Sequence, residues 1–187
     1  MTLESELIRR SVDGDEAAFA RLAADHRPVS VAVARGMLGD PDAAEDVAQE
    51  AMIRLSSALP GFRGDSELRT WVYRVTINLC HDHLRRQRRR RDEVSVESGL
   101  GDPALVSQPE ADQRLVAERR RAVLYEALGR LPEEQRVAVT LRFLSDLPYG
   151  EIARLTDAPI GTVASRVFRA LERLGADMEP KHLEMLK

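Results

Sequence analysis

Residues 67–91 contain neither proline nor glycine, and within them Leu68, Val72, Val75 and Leu79 recur at i, i+4, i+7 and i+11. That spacing draws one apolar stripe on a helix and does not fit the alternation of a strand. A helix of this length, at about 1.5 Å per residue, crosses an entire small domain, so the elements around it have to pack along it. Trp71 lies beside the stripe and reads as core. Six of the seven residues 85–91 are arginine. A forked guanidinium matches phosphate, and its positive charge suits the negative end of the helix dipole. The stretch opens on a glycine-marked turn, Phe62, Arg63, Gly64, Asp65 and Ser66. It is either a solvated helix with a charged end or a phosphate track, and Phe62, Trp71, Tyr73 and Asn78 beside the arginines would suit unpaired bases.

The rest of the chain has the same helical period. Residues 3–12 and 16 to about 37 read as two helices separated by Asp13, Gly14 and Asp15, with Asp15 a candidate cap and Pro28 a candidate break. Gly39, Asp40 and Pro41 mark a start: Asp40 suits the N-cap and Pro41 the first helical position. The following helix, 42–59, aligns Val47, Ala51, Leu55 and Leu59. Glu45, Asp46, Gln49 and Glu50 remain on a polar, mostly acidic face that is either solvated or a dock for a basic partner.

Charge is uneven along the chain. The formal net charge is -3, yet residues 92–112 hold six acids and no Lys or Arg, directly after the arginine run. Such a segment, with Gly99, Gly101, Pro103 and Pro109, buries too little apolar surface to fold alone and reads as a flexible linker. Periodicity resumes near residue 113, restarts at Pro132 and stops near Pro148. A short helix at 149–155 and a turn to Pro159 then lead to a last helix, where Ile160, Val163, Val167, Leu171 and Leu174 share a stripe. Thr162, Ser165, Arg166 and Arg169 lie away from it. Two short helices in this arrangement are either a packing unit or a DNA-reading helix-turn-helix. The small and basic side chains favour the second reading, with Phe168 able to touch a thymine methyl. The expected fold is all-α: an N-terminal helix bundle (1–91) and a C-terminal helix-turn-helix domain (113–187), joined by the linker 92–112.

Other chemistries lack residues. Cys80, His81, Asp82 and His83 invite a metal site, but successive helical residues point about 100° apart, and the other histidines, His26 and His182, show no ligand spacing. No metal, cofactor or catalytic group is expected. One cysteine, no leader-like N-terminus and no apolar run long enough to cross a bilayer suggest a cytoplasmic protein with no membrane insertion.

Taken in order, residues 44–50, 62–66, Thr70 to Arg74, Asn78, the arginine run, residues 131–144 and residues 161–170 resemble a bacterial RNA polymerase sigma factor of the sigma-70 family. The short two-domain form is similar to the extracytoplasmic-function (ECF) group. The resemblance implies that the chain binds core RNA polymerase, through its large-subunit clamp helices and flap, together with promoter DNA and an anti-sigma factor. It implies roles residue by residue. Glu45, Asp46, Gln49 and Glu50 would meet polymerase; Phe62, Arg63, Gly64, Asp65, Ser66 and Asn78 would frame a flipped base of the -10 element; Arg85 and Arg86 would follow its backbone. Thr162, Ser165, Arg166, Phe168 and Arg169 would read the -35 element. Ala164 stands where the family often has Lys or Arg, and Met52 and Ser56 where Phe and Trp are common. The alternative is a stand-alone helix-turn-helix regulator of duplex DNA.

Overall fold

The computed structural model describes residues 2–62, 67–93 and 112–177, and every regular element among them is helical. Eight α-helices follow in order: α1 Leu3–Val12, α2 Glu16–Leu38, α3 Pro41–Ala58, α4 Leu68–Glu93, α5 Asp112–Arg130, α6 Glu133–Val139, α7 Tyr149–Thr156 and α8 Ile160–Asp177. A 3-10 turn, Leu59–Gly61, follows α3, and a π-helical turn, Thr140–Leu144, follows α6.

Local chemistry sets the helix ends. Thr2 caps α1, and the Asp15 carboxylate accepts from the Ala18 N–H at 3.0 Å at the start of α2. Asp40 accepts from the amides of Asp42 and Ala43 at 2.9 and 3.1 Å, with Pro41 in the first turn of α3. Each such cap satisfies donors the helix itself leaves unpaired and contributes about 1 kcal/mol. Gly39 closes α2 in the left-handed region at φ 71°. Pro28, expected to bend or break α2, lies inside an uninterrupted helix. Packing of α2 against α1, α3 and α4 outweighs the one amide that proline lacks. The single helix expected over 132–144 divides instead: its α-helical part ends at Val139 and the chain widens into the π turn, from which the Leu141 carbonyl accepts the Leu147 N–H at 3.0 Å.

The core forms along α4. Leu68, Val72, Tyr73 and Ile77 pack against Leu22, Val33 and Met37 of α2 and Val47, Ala51 and Leu55 of α3. Burying side chains of this size contributes roughly 1.5–3 kcal/mol each. Trp71 and Val75 are only partly buried at the edge of this cluster. Tyr73, grouped from the sequence with the groups beside the basic track, is instead 2% exposed. Val137, Leu141, Leu147, Ile152 and Val163, from beyond residue 111, belong to the same cluster, whereas Leu124, Leu128, Val139, Ala170 and Leu174 form a second one between α5, α6 and α8. Ile160, which shares the α8 stripe, sits in its first turn and is exposed.

Candidate nucleic-acid and polymerase interfaces

On α8, burying Val163, Val167, Ala170 and Leu174 turns the opposite face outward. Ser165, Phe168 and Arg169 are exposed on that face, Phe168 to 63%, and with Tyr149 they line an open groove of about 600 Å³. A large aromatic held this far out of the core offers an apolar contact to a base edge, beside a guanidinium and a hydroxyl able to hydrogen-bond one. Thr162 is half-buried, and its N–H donates to the Pro159 carbonyl at 2.9 Å. Arg166 differs from its neighbours. Its side chain is 21% exposed and pairs with Glu134 of α6 at 2.7 Å. The structure thus presents Ser165, Phe168 and Arg169 together and turns Arg166 toward the protein.

On α4, Asn78 is exposed, as are Arg85 and Arg86 two turns further on. Arg85 stands 3.7 Å from the Asp82 carboxylate, and Arg86 donates to the Asp82 carbonyl at 3.3 Å. Surface contacts of this kind contribute little and yield readily to a phosphate. Phe62 is half-buried against the core after the 3-10 turn. Arg63, Gly64, Asp65 and Ser66 lie outside the described residues, as does most of the linker. Arg88 reaches Glu133 at 2.9 Å, and His81 pairs with the same carboxylate. Burial pushes the Glu133 carboxyl up, but His81 and Arg88 together outweigh it and hold the group below the usual carboxylate range.

The acidic face of α3 divides in the same way. Asp46 and Gln49 are exposed, while Glu50 pairs with Arg54 at 2.9 Å along the helix. Glu45 is held by two arginines of α2, Arg27 at 2.5 Å and Arg35 at 3.1 Å. Sequence reasoning missed the partners of Glu45, Arg166 and Arg88, because helical charge pairs are visible only at i, i+3 or i+4. Of the Cys-His-Asp-His run, Cys80 is fully buried and Asp82 exposed, while His81 faces Glu133. Burial raises the Cys80 thiol to about 12, against the opposing effect of nearby Arg136, so it stays protonated and unreactive. No cluster of three potential metal ligands occurs among the described residues, and no helix there is long and apolar enough to cross a membrane.

A helical bundle with an exposed arginine track, followed by a helix-turn-helix with a polar outer face, defines a DNA-binding transcription protein. Residues 22–90 match the family described as Sigma-70 region 2, and residues 121–174 the family described as Sigma-70, region 4. The chain is 35% identical over 182 residues to the RNA polymerase sigma-H factor of Pseudomonas aeruginosa, covering 95% of this chain and 94% of that one. It is 36% identical over 181 residues to the ECF RNA polymerase sigma-E factor of Escherichia coli, covering 93% of each. Among solved structures it superposes on the sigma factor RpoE of Bartonella quintana, in complex with the anti-sigma factor NepR, with TM-score 0.62, 25% identity and coverage of 90% and 96%. The fold is shared with CnrH in complex with the cytosolic domain of CnrY, with TM-score 0.66, 23% identity and coverage of 91% and 94%. The chain belongs to the sigma-70 family of RNA polymerase sigma factors, in its ECF group.

Proposed function

We propose that this chain gives core RNA polymerase its promoter choice. Ser165, Phe168 and Arg169 read duplex -35 DNA in the major groove, with Thr162 and Arg166 beside them. Phe62, Asn78 and residues 63–66 capture a flipped base of the opened -10 strand, and Arg85 and Arg86 follow its phosphates. Asp46, Gln49, Glu50 and Glu45 meet the clamp helices. Residues 1–91 and 113–187 act as two units joined by the connector 92–112. Stacking and edge contacts of about 1–3 kcal/mol each offset the cost of opening the strands. The chain does no covalent chemistry of its own, takes no cofactor and works in the cytoplasm with the polymerase. An anti-sigma factor is its proposed regulator, by analogy with the NepR complex.

The observation that carries this reading is the pairing of an outward face on α8, made of Ser165, Phe168 and Arg169, with similarity to sigma factors along nearly the whole chain. In vitro transcription with core polymerase on a randomised promoter library tests it, and enrichment of paired -35 and -10 motifs is the expected result. Tight specific duplex binding by the chain alone, unchanged by core polymerase, would support a stand-alone regulator instead. Arg169→Ala should cost about 1–3 kcal/mol at one -35 position and relax preference there. An equal loss on every -35 sequence would reassign Arg169 to phosphate.

A further inference from the structure

α8 is held to the protein by an apolar stripe and by one charged tie. Counted from Val163 at about 100° per residue, Val167, Ala170 and Leu174 fall within about 40° of it, and all four are buried. Arg166 falls about 60° to one side, and Arg169, Ser165 and Phe168 follow on that same side at about 120–220°. Arg166 therefore stands on the boundary between the packed stripe and the outward face. Its Nη2 lies 2.7 Å from Glu134 Oε2, and among the described residues this is the only ion pair that α8 makes with another helix. Glu134 is in the first turn of α6, the helix against which α8 packs most.

The two kinds of contact constrain different motions. Apolar burial is non-directional, so the stripe holds α8 against the protein while setting its roll about its own axis less sharply. A tie placed off the stripe, to a neighbouring helix, resists that roll. Side-chain tips stand about 5–6 Å from a helix axis, so a roll of about 20° moves them about 2 Å, enough to take a hydrogen bond out of range. Glu134 keeps 72% of its side chain exposed, and a pair open to solvent contributes little to stability, so the helices stay packed without it. The same placement argues against a reading role for Arg166. Its charge is already met by a carboxylate, and turning it toward a phosphate or a guanine would break the pair and leave Glu134 facing the negative backbone.

Resting on the sigma-factor reading, we propose that Arg166 is a positioning residue for promoter choice: through Glu134 it fixes the roll of α8, and so which base edges Ser165, Phe168 and Arg169 meet at the -35 element. Glu134 is then a determinant of base preference that lies outside the reading helix and touches no DNA. Ala164 adds to this dependence. With no long side chain there to reach the duplex, preference rests on three residues whose placement shares one rotation.

In vitro transcription with the full chain and core polymerase, on promoters that vary only in the -35 element, tests this with Glu134→Gln, Arg166→Gln and the charge swap Glu134→Arg with Arg166→Glu. Each single substitution should flatten preference about threefold at the positions that Arg169→Ala relaxes, with helicity and thermal unfolding unchanged. The two effects should not add, and the swap should restore the parent preference. Binding of the chain with core polymerase to the same duplexes should keep its salt slope, because no phosphate contact is lost. A loss with Arg166→Gln alone, together with a salt slope shallower by about one, would make Arg166 a phosphate contact and overturn the proposal. So would a Glu134→Gln chain with the parent's preference, or a swap that fails to restore it. Should the substitutions at Arg166 cost helicity, Glu134→Gln, at an exposed position, decides alone. A parent chain that selects no -35 sequence with core polymerase sinks the sigma-factor reading, whereas a parent that selects one and a Glu134→Gln chain that selects it equally sharply sink only the positioning role.

Discussion

Ser30 and Thr76 are fully buried, and their hydroxyls meet at 2.7 Å between α2 and α4. Thr76 Oγ1 also lies 2.8 Å from the Val72 carbonyl, which can only accept. A hydroxyl has one proton, so Thr76 donates to Val72 and Ser30 donates to Thr76. The pair therefore carries a direction, and its two ends are not equivalent to substitution. Thr76→Val keeps the side-chain shape but leaves the Ser30 donor unpaired in the core, which should cost about 1–3 kcal/mol in urea unfolding. Adding Ser30→Ala removes the orphaned donor and should recover much of that loss. Additive single and double effects would show that the hydroxyls are not coupled. The same low-dielectric setting raises the thiol of Cys80, one helical turn further along α4. A cysteine in the most metal-like run of the sequence is thus a packing residue.

At the level of elements, the turn between α7 and α8 sets how the outward face of α8 is aimed. Asp157 closes α7 in the left-handed region at φ 49° and ψ 47°, with its N–H donating to the Ala153 carbonyl. A side chain in that conformation costs roughly 1 kcal/mol relative to glycine, which is what the chain uses at the equivalent end of α2, Gly39. Asp157→Gly should therefore stabilise the protein by about 1 kcal/mol, or roughly 2–4 °C in thermal unfolding for a chain of this size, while Asp157→Val should destabilise it. A glycine variant no more stable than the parent would mean that the aspartate carboxylate already offsets the strain. Local rules of this kind explain what could be read in advance. The caps at Asp15 and Asp40, the α4 stripe and the outward face of α8 follow from neighbours within a turn or two. Pro28 inside α2, the burial of Tyr73, the π turn and the pairing of Arg166 with Glu134 depend on partners remote in sequence. No periodicity reports them.

Across the molecule, Glu133 is where the two ends of the described chain meet electrostatically. His81 and Arg88 face it from α4, and Arg136 adds a third positive group from its own helix. Burial pushes its carboxyl up, but His81 and Arg88 outweigh this, so it sits below the ordinary value of 4.5 in the folded chain. In the unfolded chain the carboxyl returns toward that ordinary value, so the unfolded chain binds the proton more readily than the folded one. The contribution of this cluster to stability is therefore fully present above about pH 4.5 and is lost as pH falls through the lower value of the folded form. In urea unfolding, the contribution of Glu133 to stability should stay constant from neutral pH to about pH 5 and then fall. Glu133→Gln removes the titrating group but leaves His81, Arg88 and Arg136 in place, so it should be less stable at neutral pH and lose this acid step. Identical pH profiles for the two chains would exclude Glu133 as a group that links protonation to stability.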